Sequence, residues 1–371
     1  MRRPVLTTVV SALPALVPFV GPEAQERARG RPFRARLGAN ESLFGPSPKA
    51  IRAMEEAAAG QWMYSDPESF ELRSAIARFH GVTAANVVIG EGIDGLLGLA
   101  VRMCADPGTP VVTSDGAYPT FNFHVAAQGA RLIKVPFRED REDLPRVLDA
   151  AIESRARILY VSNPNNPMGT WWTAREIGRL VEKLPENLLL CLDEAYCDTA
   201  PADAVPQIDA SNPQVLRFRT FSKAYGLAGA RIGYAVGEAA LISVFEKVRN
   251  HYGINRVGQI GALSALEDQP YLARAVARIA RSRDRISFIA RRNGLTPLPS
   301  AANFVTIDCG GDGAFARRVL DEVLCRDVFA RKPGVAPLDR CIRVSCGRDE
   351  DLDILAEVLP RALAAARARS G

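Results

Sequence analysis

From Val87 to Val236 the chain alternates short apolar runs with amphipathic helical stretches, and no other feature constrains its fold as tightly. The runs are Val87–Ile89, Val111–Val112, Leu132–Val135, Ile158–Val161, Leu188–Leu192, Val215–Phe218 and Ile232–Val236. Helical segments lie between several of them. Thr173–Leu184 is an example, with Ile177, Leu180, Val181 and Leu184 on one stripe. Such alternation predicts an α/β fold with a largely parallel sheet of seven strands, covered by helices on both faces. Ligands of such sheets bind at the carboxyl ends of the strands.

Past residue 250 the pattern changes. Two helical stretches at 253–267 and 270–292 lead to a strand at Asn303–Asp308. A helix at 313–325, a short strand near Val328, a strand at Cys341–Ser345 and a last helix from 349 follow. This reads as a smaller α+β domain. At 371 residues the chain is too long for one small core. The division expected is an N-terminal arm over 1–45, a large domain over 46–252 and a small C-terminal domain over 253–371.

Composition excludes several functions. The net charge of +5 is spread along the chain, with arginines alternating with acids on faces such as Ala273–Arg292, so no nucleic-acid partner is expected. The cysteines are seven, an odd number without a C-x-x-C pair, and read as reduced thiols. His80, His124 and His251 are scattered, and no metal site is expected. Arg2-Arg3 before the apolar Val5–Val20 has a faint look of a secretory leader. Pro4, Pro14 and Pro18 interrupt it, and no small-residue cleavage site follows. No run approaches the roughly 20 apolar residues of a membrane span. A cytoplasmic protein is expected.

Three motifs sit at strand ends. In Arg219-Thr220-Phe221-Ser222-Lys223, followed by a small-residue loop and Arg231, a lysine is flanked by hydroxyls. A phosphorylated aldehyde requires that set: an amine to condense with, and hydroxyls, amides and a guanidinium for the phosphate. A solvated surface lysine is the other reading. The run Leu188–Leu192 ends in Asp193-Glu194-Ala195-Tyr196, where an acid could keep a pyridine nitrogen protonated or simply cap a turn. Ile158–Val161 ends in Ser162-Asn163-Pro164-Asn165-Asn166-Pro167-Met168-Gly169, a turn-prone stretch in any protein. Gly90-Glu91-Gly92 opens a helix after the first strand, so the amides of Ile93 and Asp94 point into an anion site that would equally suit a dinucleotide fold.

In this order and spacing the motifs resemble the fold-type I pyridoxal-phosphate aminotransferases, and most closely the histidinol-phosphate aminotransferase branch. The resemblance runs from about residue 37 to 350. It implies pyridoxal 5'-phosphate as cofactor and Lys223 as the catalytic lysine. Asp193 would meet the ring nitrogen, and Asn166 and Tyr196 the phenolate oxygen. Ile93, Asp94, Thr220, Ser222 and Arg231 would hold the phosphate. Tyr118-Pro119-Thr120-Phe121 aligns Phe121 with the aromatic that stacks on the ring, although a core phenylalanine would read the same way. Tyr64-Ser65-Asp66-Pro67 matches the family's Y-P-D-P, whose tyrosine reaches the partner's cofactor phosphate in a homodimer with shared active sites. Arg343-Val344-Ser345-Cys346-Gly347 matches R-x-T-x-G, whose arginine forks onto a substrate carboxylate. Arg331 matches a second substrate arginine, or is an exposed one. In Leu37-Gly38-Ala39-Asn40-Glu41, Gly38 and Ala39 would lie over the substrate. The reaction implied is transfer of an amino group between an amino acid, or histidinol phosphate, and a 2-oxo acid. A decarboxylase or lyase of the threonine-phosphate decarboxylase kind shares the same motifs.

The chain departs from the family at Ser42, Leu43, Gly95 and Met168. It has Pro18-Phe19 where histidinol-phosphate enzymes carry Pro-Tyr, which points toward a retuned substrate side, for aromatic or other bulky amino acids.

Overall fold

The protein, seen in a computed structural model, is described over residues 4–15 and 20–368. Pro18-Phe19 lies outside the described residues. The central sheet has seven strands: β1 (Val87–Gly90), β2 (Pro110–Ser114), β3 (Arg131–Val135), β4 (Ile158–Ser162), β5 (Leu189–Asp193), β6 (Val215–Thr220) and β7 (Gly233–Val236). Their order is β1-β7-β6-β5-β4-β2-β3, and only β7 runs against its neighbours. β4 and β5 are buried along their whole length, which is why they read as continuous apolar runs.

Alternation along these strands feeds two cores. Tyr160, Cys191 and Phe218 pack on one face against Leu96 and Leu97 of α1 (Gly92–Cys104) and Phe121 of α2 (Pro119–Ala127). Leu159, Val161, Leu190 and Leu192 face the other way, onto α3 (Leu144–Glu153) and α4 (Ala174–Val181). Each such aliphatic side chain contributes about 1.5–3 kcal/mol on full burial. The Thr173 hydroxyl accepts from the Glu176 amide while the Glu176 carboxylate accepts from the Thr173 amide, which fixes the start of α4.

The last third of the chain forms α5 (Arg256–Glu267), the 24-residue α6 (Gln269–Arg292), β8 (Phe304–Asp308), α7 (Gly313–Cys325), β9 (Cys341–Ser345) and α8 (Asp349–Ala368). β8 and β9 pair antiparallel, with Thr306 opposite Arg343. Ala35–Arg36 pairs in parallel with Val328–Phe329 and ties the N-terminal region to this part. A third apolar cluster runs from Ala35 through Ile76, Phe221 and Ile232 to Ala366, so packing is continuous across the sequence position 252.

Several boundaries differ from the sequence reading by one to three residues, and two of the shifts have a clear local cause. The helix that follows Tyr64-Ser65-Asp66-Pro67 starts only at Phe70, because the Asp66 carboxylate takes the amides of Glu68 and Phe70 at 3.0 and 2.7 Å and Ser69 adopts φ +48°. The strand expected from Ile232 starts at Gly233, because Arg231 turns left-handed at φ +58°.

Candidate active site

Registers in the sheet bring the three strand-end motifs together. Ser162 pairs with Asp193 across β4 and β5, and Asp193 with Phe218 across β5 and β6, so Thr220, Ser222 and Lys223 emerge just past Asp193. Gly90 and Thr220 both face Gly233 across β7. A Cβ on Gly233 would lie 2.7 Å from the carbonyl carbon of Gly92 and the amide of Ile93, so glycine there lets the start of α1 close onto the sheet. These ends border a cleft of about 590 Å³. Ile93, Asp94, Asn166, Asp193, Tyr196, Thr220, Ser222, Lys223, Arg231, Arg331 and Arg343 all line it.

Asp193 is 6% exposed. Burial pushes its carboxyl up to about 6, against the Tyr160 hydroxyl donating at 2.8 Å, the Ala195 amide donating at 2.9 Å and the Lys223 cation. The Lys223 amine donates to the Asn40 carbonyl at 3.2 Å. Burial and the Arg343 and Arg231 guanidiniums press its pKa down to about 8, which raises the share of nucleophilic free amine near neutrality. Burial also holds the Tyr196 phenol up at about 12, and its oxygen accepts from the Asn40 amide at 3.1 Å.

The start of α1 has the features of an anion cradle. Glu91 at its cap makes no side-chain hydrogen bond to the helix amides, which leaves those of Ile93 and Asp94 at the cleft. The Arg231 guanidinium donates to the Ala228 and Glu91 carbonyls and lies against Gly92, where a Cβ would meet Nη2 at 2.5 Å. Thr220 and Ser222 hydroxyls stand 3.0 Å apart beside it. Amides, hydroxyls and one guanidinium on one wall, with an amine and a buried carboxylate beyond, fit a phosphorylated pyridine aldehyde. On the opposite wall the Arg343 guanidinium donates to the Asn166 side-chain oxygen and to the Gly38 carbonyl, leaving its buried Nε without a partner. Main-chain bonds join Arg331 and Arg343 directly.

Two expected residues, Phe121 and Gly38, sit elsewhere, and Tyr64, expected at a partner's site, faces away from this chain's own. Phe121 does not line the cleft. It is fully buried in the first turn of α2, its ring stacked on Tyr160 at 4.4 Å, while Tyr118 at the helix cap lines the cleft. Gly38 does not line the cleft, and a Cβ on it would strike the Phe329 ring at 2.7 Å, whereas Ala39, expected beside it, does line the cleft. Tyr64 is 81% exposed, away from this chain's cleft, with its ring against Tyr252.

Sequence reasoning missed Tyr160, Asn40 and Glu142. Asn40, at φ +55°, joins Lys223, Tyr196, Ser345 and Asn303 through hydrogen bonds. Glu142 is buried behind Asn165 and Ser162, which donate to it, and burial raises its carboxyl to about 8. Of the three, Asn40 alone had a signal, since it lies in the segment Leu37–Glu41 whose neighbours were expected over the substrate. Among the described residues no cluster of His, Cys, Asp and Glu could hold a metal, and no helix is long and apolar enough to cross a membrane.

The family model for aminotransferase class I and II matches residues 35–359. A histidinol-phosphate aminotransferase of Moorella thermoacetica is 33% identical over 329 residues, covering 88% of this chain and 84% of the relative. A second such relative, histidinol-phosphate aminotransferase 2 of Pseudomonas aeruginosa, is 35% identical and covers 89% of each chain. The crystal structure of a histidinol-phosphate aminotransferase from Sinorhizobium meliloti, in complex with pyridoxal-5'-phosphate, superposes with a TM-score of 0.94 at 51% identity, covering 97% of each chain.

Proposed function

The chain belongs to the class I and II aminotransferases and is a pyridoxal-phosphate-dependent enzyme, and we propose that histidinol phosphate is its amino donor and a 2-oxo acid its acceptor. The observation that carries this reading is the pairing of Arg331 and Arg343 on one wall of the cleft. Burial lowers both guanidinium pKa values, and the Arg331 cation lowers that of Arg343 further, to about 10. Crowded, partly desolvated cations are stabilised by an arriving anion. A phosphate monoester serves on the donor side and a carboxylate on the acceptor side.

Bound pyridoxal phosphate supplies an electron sink for the bond broken at the amino-bearing carbon. The chain's own groups do the rest. Ile93 and Asp94 amides, Thr220, Ser222 and Arg231 would hold the phosphate. Asp193 would keep a proton on the ring nitrogen, and Tyr118 would stand on the cleft wall beside the ring. Lys223 Nζ, as the free amine, takes the proton from the amino-bearing carbon. Asn166 and Tyr196 would meet the phenolate oxygen, and Arg343 would turn from Asn166 toward the incoming anion.

We read the enzyme as a cytoplasmic homodimer. Trp62 at 83% and Tyr64 at 81% exposure, with Phe70 and Tyr252 also exposed, favour a covering partner, and Tyr64 would then reach the phosphate bound by a second copy. The division into arm 1–45, large domain 46–252 and small domain 253–371 belongs to the same proposal. A screen of amino donors against several 2-oxo acids tests the function. Histidinol phosphate should give the highest kcat/KM, and failure of the purified enzyme to turn it over would overturn the assignment.

A further inference from the structure

We propose that Tyr160 is a positioning residue for amino transfer, its hydroxyl holding the Asp193 carboxylate ionised and aimed at the cleft. The inference rests on the cofactor reading of that cleft. Tyr160 lies within the apolar run Ile158–Val161 and is fully buried. Its ring packs among Phe121, Cys191 and Phe218, where a phenylalanine would fill the same space. The hydroxyl is therefore superfluous to packing. It makes one bond, to Asp193 Oδ2 at 2.8 Å, while the Ala195 amide occupies Oδ1 at 2.9 Å.

Geometry makes that bond firm. The ring stacks on Phe121 with 15° between planes, and Phe121 is itself fully buried, so the phenol cannot swing aside. Burial, the Asp193 charge and Glu142 raise the phenol pKa well above its ordinary value, which keeps it a donor at every working pH. The charged and titratable groups acting on Asp193 and this phenol are Lys223 after β6, Glu194 beside it, the buried Cys191 thiol on β5, Glu142 before α3, and the phenols of Tyr118 and Tyr196. Of these, Lys223 alone is a cation, and its amine is needed for the chemistry. Tyr160 is the side-chain donor to Asp193 that the reaction never takes away.

The test is Tyr160→Phe in the full-length chain, which removes one oxygen and keeps the stacked ring. The infrared band of the protonated Asp193 carboxyl in the apoprotein, assigned by its loss in Asp193→Asn, is titrated against pH. Its midpoint should rise from about 6 by about one unit or more. At pH 7 the dissociation constant for pyridoxal phosphate should weaken by about threefold to tenfold. An unchanged midpoint overturns the inference, as does a shifted midpoint with unchanged affinity. If the wild-type chain binds no pyridoxal phosphate, the cofactor reading fails first, and the titration still reports whether Tyr160 governs Asp193.

Discussion

The Arg343 guanidinium spans the cleft wall, donating through Nη1 to the Asn166 side-chain oxygen and through Nη2 to the Gly38 carbonyl at 3.2 Å, while its buried Nε goes unpartnered. Two neutral acceptors are weak company for a buried cation. A carboxylate would replace both and satisfy the fork. Arg343→Ala should therefore raise KM for carboxylate-bearing substrates by the equivalent of about 2–4 kcal/mol, as for loss of a buried charged pair. Steady-state kinetics check this. A KM within threefold of wild type would count against the clamp.

Gly92 is held at φ +76°, with the Arg231 guanidinium where a side chain would be. Gly92→Ala adds about 1 kcal/mol of backbone strain and displaces Nη2 from the anion cradle. Cofactor affinity should fall by about tenfold or more, read by equilibrium titration of the apoprotein. Gly178, with open space at its Cβ position, is the control and should tolerate alanine.

What was legible in the sequence follows from these geometries. Buried parallel strands are apolar runs, and each catalytic motif begins where a run stops, so the convergence of Asn166, Asp193, Thr220 and Lys223 could be read before any coordinates. Facing was not legible. Tyr118 and Phe121 lie within one turn, and only the docking of α2 on β4 decides which ring meets the cleft. Tyr160 read as core because its partner lies 33 residues away on a neighbouring strand. Asn40 was passed over for the same reason, since Ser345 and Asn303 come from the far end of the chain.

The Lys223 amine, pressed down to about 8, sets a pH dependence. Below that value the amine is protonated and cannot attack an aldehyde. Capture of pyridoxal phosphate by the apoprotein should slow about tenfold per pH unit below 8 and level off above it. Arg343→Ala removes one of the cations lowering this pKa, so its midpoint should move upward. Stopped-flow absorbance follows both. A midpoint that falls on removing Arg343 would reverse the electrostatic account. Borohydride reduction and peptide mapping should place the bound cofactor on Lys223 and on no other lysine.

Tyr64 stands 81% exposed with its ring 4.9 Å from that of Tyr252. If it completes the site of a second copy, Lys223→Ala and Tyr64→Phe chains should be inactive or nearly so alone. Mixed and reassociated, they form hybrids holding one intact site, so about a quarter of wild-type activity should return at equal proportions. Full activity of Tyr64→Phe by itself would show that the sites are not shared.

The substrate side can be separated from the catalytic side at Arg331. Its guanidinium lines the cleft and donates to the Val20 carbonyl at 2.9 Å, next to the arm where Pro18-Phe19 suggested a preference for bulky amino acids. Those two residues lie outside the described part of the structure, whereas Arg331 is held beside Arg343 by main-chain bonds of 3.2 and 2.6 Å. A cation so placed acts on a phosphate far more than on an aromatic ring, because a charged pair in a partly dry cleft outweighs the contact of a guanidinium with a π face. Arg331→Ala should thus lower kcat/KM for histidinol phosphate by about 30-fold to 1000-fold, equivalent to about 2–4 kcal/mol. With phenylalanine or tyrosine as donor the change should stay within about threefold, the scale of a lost exposed contact. Wild-type enzyme should favour histidinol phosphate over both amino acids. Equal losses on all three donors would show Arg331 to be a structural residue, and a wild-type preference for phenylalanine or tyrosine would restore the reading drawn from Phe19.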